Sequence, residues 1–142
     1  MKRIQTLLKK KGYDVWSIAP DASVYDAIHL MAEKSVGALI VMDGPSLVGV
    51  ISERDYARKI ILEGRSSEDT KISEIMSAKV ITTGPDNSIE ECMKIMTDRR
   101  IRHLPVLSGD KVLGVISLGD LVEYIIAEQR FVIEQMERYI SG

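Results

Sequence analysis

The sequence has little cysteine, no long apolar run and no excess of either charge, and each shortage removes a class of function. Its single cysteine, Cys92, has no partner for an internal disulfide. It falls in the helical spacing Ile89, Cys92, Met93, Met96, which reads as a small buried core residue rather than a nucleophile. No apolar stretch approaches the roughly 18 residues of a membrane span. The opening Met1-Lys2-Arg3-Ile4-Gln5 is charged and leads into no apolar signal core, so the expected location is the cytoplasm. Nineteen Lys+Arg against 21 Asp+Glu leave a formal charge of −2, with a pI near 5.7. A general nucleic-acid binder would be basic. His29 and His103 make no metal-ligand spacing with each other or with Cys92, so no metal site is expected. A Walker-type Gly-x-x-x-x-Gly-Lys-Ser/Thr, an activated nucleophile and an acid/base carboxylate pair are all missing, so no catalytic residues are expected.

What the sequence does contain is one stretch written twice. Gly49-Val50-Ile51-Ser52-Glu53-Arg54-Asp55 returns sixty-five positions later as Gly114-Val115-Ile116-Ser117-Leu118-Gly119-Asp120. Each copy reads as a buried strand turning straight into a helix, with Ser as N-cap and Asp at the third helical position. Such a turn aims backbone N–H groups outward and suits phosphate. Ser-x-x-Asp before an apolar run is equally an ordinary capping box. The duplication extends well beyond the turn. Val15, Pro20, Asp21, Ser23, Met31, Leu39, Val41 and Gly44 match Val80, Pro85, Asp86, Ser88, Met96, Leu104, Val106 and Gly109 at the same offset, with no insertion. The chain is an internal duplication of a strand–helix–strand–strand–helix unit.

In chain order, Ile4, Leu7 and Leu8 among Lys9, Lys10 and Lys11 predict a short amphipathic helix with cations at its C-terminal end, stopped by Gly12. An extended piece at Val15–Ile18 follows. Ser23 and Asp26 then cap a helix burying Val24, Ala27, Ile28 and Met31. Ala38–Met42 and Leu47–Ser52 predict two strands, and Asp43-Gly44 between them is a hairpin-turn signal, although Pro45 suggests a loop longer than the tight two-residue type. The helix after Ser52 is expected to run to about Leu62, Arg65–Thr70 to be a polar linker, and Ile72–Met76 to be a short helical turn. The final helix carries Tyr124, Ile125, Phe131, Val132, Met136 and Tyr139, more apolar residues than one repeat needs, and is expected to pack on a partner or on the N-terminal helix.

Extended-x-Pro-Asp-x-Ser, amphipathic helix, hairpin and Gly-Val-Ile-Ser-x-x-Asp, all present twice, resemble a pair of CBS domains, a Bateman module, over roughly residues 13–127. The resemblance implies an α+β fold of tandem repeats paired about a pseudo-twofold axis and flanked by terminal helices. The expected divisions are 1–12 for the N-terminal helix, 13–76 for repeat one, 77–127 for repeat two and 128–142 for a helical extension. It further implies a non-enzymatic sensor for an adenosine-containing ligand (AMP, ADP, ATP or NAD(H)) that signals to a partner protein. The alternative is a ligand-free structural dimerisation module. Asp55 or Asp120 would hold the ribose hydroxyls, since a carboxylate accepts two hydrogen bonds from a cis-diol. One cleft is expected to combine Ser52, Arg54 and Asp55 with Val80, Ile81, Thr82, Arg102 and His103. The other is expected to combine Ser117 and Asp120 with Trp16, Ser17 and Ile18. The basic pair Arg102 and His103, with Arg54, suits phosphate and makes the first cleft the expected phosphate site. A solvated basic edge is the plainer reading of that cluster. The second cleft, with Gly37, Ala38, Leu118 and Gly119 at the matching positions, is expected to lack cations. A homodimer is expected from Tyr56, Ile60, Ile61, Leu121 and Ile125 on the turn-following helices together with the long last helix.

Overall fold

The computed structural model describes residues 2–141. Its elements run α1 (Ile4–Lys11), β1 (Ser17–Ile18), α2 (Val24–Lys34), β2 (Ala38–Asp43), β3 (Ser46–Ser52), α3 (Glu53–Tyr56), a π-helical turn (Ala57–Ile61), α4 (Ile72–Ile75), α5 (Ile89–Arg99), β4 (His103–Ser108), β5 (Lys111–Ser117) and α6 (Leu118–Ser141). They fall into two compact units. One is the contiguous segment Asp14–Ile81, and the other joins residues 2–13 to residues 82–141.

In the contiguous unit, Ser23 caps α2 by accepting the Asp26 N–H at 3.1 Å. Ser35, in the left-handed region at φ 56, ends the helix by returning its own N–H to Met31 and Ala32. The stripe Val24, Ala27 and Met31 is buried with Leu39, Val41 and Ile51 of the β2–β3 hairpin. The other unit repeats this element for element at the same offset. Ser88 caps α5 through the Glu91 N–H, Arg100 at φ 55 ends it, and a bulge after Val106 matches the one after Val41.

Four expectations change. Asp43 pairs directly with Ser46, so the hairpin turn is the tight two-residue type despite Pro45. Gly44 takes φ +58 and Pro45 keeps a negative φ, the pattern of a type II′ turn, whose second position suits proline's fixed φ. Gly109 at φ +61 opens the matching turn. The helix after Ser52 does not stay α-helical to Leu62. It widens to a π-helix over Ala57–Ile61, and the Leu62 N–H reaches back five residues to the Ala57 carbonyl at 3.1 Å. Residues 65–70 are not a free linker, because Tyr25 donates to the Ser67 carbonyl, Val24 donates to the Thr70 carbonyl, and Thr70 is buried. Repeat two also has no first strand at Val80–Thr82. The parallel pairing of β1 with β2 shrinks there to a single bridge, Thr83 with Val106. Gly84, where repeat one has Ala19, weakens the extended preference at that point.

Each unit is completed by a helix that the sequence places ahead of the other repeat. In the contiguous unit, the Ile72 N–H donates to the Ala22 carbonyl and the Ser73 N–H to the Pro20 carbonyl, which seats α4 on repeat one. In the other unit, the Ile4 N–H donates to Asn87 and the Gln5 N–H to Pro85, which seats α1 on repeat two by the same two bonds. The apolar faces Ile72, Ile75 and Ile4, Leu7, Leu8 are thereby buried. The close approach needs glycine. A Cβ on Gly49 would lie 2.5 Å from the Met76 sulfur and 3.1 Å from the Ser77 carbonyl oxygen, and one on Gly114 would lie 2.9 Å from Leu8 Cδ2.

Helix α6 meets the N-terminal helix at its start, one of the two expected packings. Leu121 and Tyr124 are buried, and Lys10 of α1 sits 5.9 Å from the centre of the Tyr124 ring. From Gln129 onward every described residue of α6 is exposed. Ile60 and Leu121, expected on a dimer surface, are instead buried within their own units, while Ile61, Leu62, Val122 and Ile126 are the exposed apolar residues nearby.

Candidate functional site

Both strand-to-helix turns form closed capping boxes. In the first, Asp55 N–H donates to Ser52 Oγ at 3.2 Å, while Ser52 N–H and Oγ–H donate to Asp55 Oδ2 at 3.0 and 3.1 Å. In the second, Asp120 N–H donates to Ser117 Oγ at 3.0 Å and Ser117 N–H to Asp120 Oδ2 at 2.8 Å. The turns do not offer the row of outward N–H groups read from the sequence. Glu53 N–H is taken by the Gly37 carbonyl and Leu118 N–H by the Arg102 carbonyl, in addition to the two capped Asp amides. The capping box fixes one oxygen of each carboxylate, and Oδ1 is the oxygen outside it.

Each carboxylate also carries a lysine, and the two lysines have different origins. Lys59, one turn along the same helical stretch, places its ammonium 3.4 Å from Asp55 Oδ1 and donates to the Ile75 carbonyl at 2.8 Å. Lys11, at the end of α1, lies 2.6 Å from Asp120 Oδ2 and also donates to the Val115 carbonyl. The second turn is thus not without cations, contrary to the sequence reading. The mate of Asp120 comes from the opposite end of the chain, where no local motif could announce it. Lys10, Lys11 and Arg130 line a groove of about 680 Å³ with Leu7, Asp120, Glu123 and Tyr124. Burial, and secondarily the Glu128 carboxylate, push the Tyr124 phenol above its ordinary pKa.

The remaining expected site residues divide between the units. Ser52, Arg54, Asp55, Val80 and Ile81 belong to the contiguous unit, as do Trp16, Ser17 and Ile18. Thr82, Arg102, His103, Ser117 and Asp120 belong to the other. Within that unit Arg102 and His103 sit beside the second turn, with His103 opposite Ser117 in the ladder and the Arg102 carbonyl holding Leu118. Trp16 packs on its unit's core with the Lys34 ammonium 4.4 Å from its ring centre, and Ser17 is exposed. Cys92 is buried against Thr83 Oγ1 at 3.3 Å, and desolvation raises its thiol pKa. Among the described residues no group of three His, Cys, Asp or Glu could hold a metal, and no helix is long and apolar enough to cross a membrane.

Comparison with known proteins matches the CBS domain model at residues 10–62 and 72–127. The CBS domain-containing protein CBSX3, mitochondrial, of Arabidopsis thaliana is 40% identical, across 98% of this chain and 72% of that protein. A solved protein with CBS domains from Burkholderia ambifaria MC40-6 is 49% identical, with a TM-score of 0.87 over 90% of this chain and 96% of that one. The CBS domain pair of protein MJ0100, solved with 5′-methylthioadenosine and S-adenosyl-L-methionine, shares the fold at 20% identity and a TM-score of 0.79, covering 90% of this chain and 98% of that one. The duplicated strand-to-helix turns and the two matched segments make this chain a member of the CBS domain family, with the domain present as a tandem pair.

Proposed function

We propose that the protein is a sensor of an adenosine-containing ligand (AMP, ADP, ATP or NAD(H)) that reports ligand level to a partner protein, working in the cytoplasm as a homodimer. The single observation that carries the ligand reading is the paired turn. Two part-buried carboxylates, 14% and 21% exposed, are each held through Oδ2 in a capping box, so that a ribose cis-diol would be met through Oδ1, which at Asp55 is shared with the Lys59 ammonium. That a CBS pair of this fold was solved with two adenosine compounds supports the same chemistry. One buried cysteine and no possible internal disulfide suit a reducing compartment. A purely structural, ligand-free module is the second reading, favoured by the fact that both carboxylates already carry a lysine.

A ligand that binds only the folded state stabilises it by mass action, about 2.7 kcal/mol at a hundredfold excess over its dissociation constant. A thermal-shift series with AMP, ATP and NAD should therefore raise the melting temperature by roughly 5–10 °C for the cognate ligand. No shift with any of the three selects the structural reading.

The homodimer rests on α6. Val122, Ile126, Gln129, Ile133, Met136 and Ile140 recur at alternating spacings of four and three, the seam that a like helix fills. Five of the six are apolar and exposed, and a helical arm with no packed face is marginal by itself. Sedimentation equilibrium at micromolar concentration should give twice the chain mass, and Ile133→Asp should return it to one. A wild-type monomer at that concentration rejects the dimer.

A further inference from the structure

We propose that the groove between α1 and the first turns of α6 is an anion site, in which Lys11, Lys10 and Arg130 take the phosphate end of a phosphorylated ligand. The groove lies wholly within one unit, and its volume of about 680 Å³ is that of an ordinary small-molecule site. Three cations line it against two carboxylates, Asp120 and Glu123. Lys11 and Asp120 form an ion pair at 2.6 Å, so the net positive charge of the lining comes from Lys10 and Arg130 against Glu123. Lys11 is partly screened from water at 36% exposure, and its ammonium keeps a third donor beyond Asp120 and the Val115 carbonyl. Lys10, exposed on α1, reaches across the groove to within 5.9 Å of the centre of the Tyr124 ring on α6. Arg130 enters from α6 and supplies a planar fork suited to phosphate oxygens. The inference extends the nucleotide reading by adding a phosphate position beside Asp120, where the turn itself has only Leu118 and Gly119.

The test is calorimetric titration with inorganic pyrophosphate, AMP and adenosine, at low and high salt, on the wild type, Lys11→Met and Arg130→Gln. Methionine keeps the packed stem of Lys11, and Arg130 is exposed on α6, so loss of folding cannot account for an effect in Arg130→Gln. The expected result is that pyrophosphate and AMP bind the wild type and each weaken by about tenfold or more in both variants, with a flatter salt dependence, while adenosine is unchanged. If pyrophosphate binds and is lost in the variants but neither AMP nor adenosine binds, the groove stands and the adenosine reading falls. If AMP and adenosine bind equally and neither variant matters, the groove is refuted and the adenosine reading stands. No pyrophosphate binding to the wild type also overturns the groove.

Discussion

Asp55→Asn is expected to weaken AMP binding at its site by about a hundredfold or more, because two hydrogen bonds to a charged carboxylate are lost and each is worth roughly 1.5–3 kcal/mol. Asparagine keeps a carbonyl oxygen that can accept the Ser52 N–H, so the capping box survives and the fold should be nearly unaffected. The Lys59 contact at 3.4 Å is also lost, but a pair with the lysine 42% exposed adds little to stability. Alanine would confound the experiment by removing the cap as well, a change of about 0.5–2 kcal/mol. Calorimetry with AMP on wild type and Asp55→Asn, with urea melts of both, separates binding from folding. Unchanged AMP affinity in a normally folded Asp55→Asn protein removes Asp55 from the ligand site.

The second large effect lies in a helix that belongs to neither repeat by sequence. Leu8→Ala should cost about 2–5 kcal/mol, the range for emptying a buried leucine site. Leu8 is 1% exposed and lies against Gly114 of β5, whose missing side chain leaves the room that Leu8 fills. Such a loss is a large share of the roughly 5–15 kcal/mol that holds a typical domain folded. The urea midpoint should fall markedly, whereas Lys9→Ala on the exposed face of the same helix should leave it nearly unchanged. Equal midpoints for Leu8→Ala and wild type would mean that α1 is not seated on repeat two.

The repeats were legible because several independent signals agreed. Ser23 and Ser88 marked helix starts, apolar spacing marked the buried stripes, and a constant offset tied the two halves together. What was illegible was pairing at a distance. Ile4, Leu7 and Leu8 announce a helix that must bury one face, but nothing in those residues says which repeat receives it. Lys11 therefore could not be connected with Asp120, and the second turn was read as poor in positive charge. Asp43-Gly44 signals a hairpin and Pro45 argues for a longer loop, but the fixed φ of Pro45 suits the second position of the tight turn, so the two signals do not conflict. The π-helical turn at Ala57–Ile61 has no signature in its sequence, since Ala-Arg-Lys-Ile-Ile fits an α-helix equally well.

The exchange of helices has a consequence for the order in which a ribosome delivers the chain. The unit from Asp14 to Ile81 is one uninterrupted stretch and has all its parts as soon as Ile81 has emerged. The other unit is drawn from segments on both sides of it, so α1 is made before its seat on Asn87, Gly114 and Asp120 exists. At translation speeds of about 5–20 residues per second, its leucines stay uncovered for roughly ten seconds while the neighbouring unit folds. During that interval the contiguous unit is complete while the apolar face of α1 has no seat. That face is one a chaperone, or another copy on the same message, would cover.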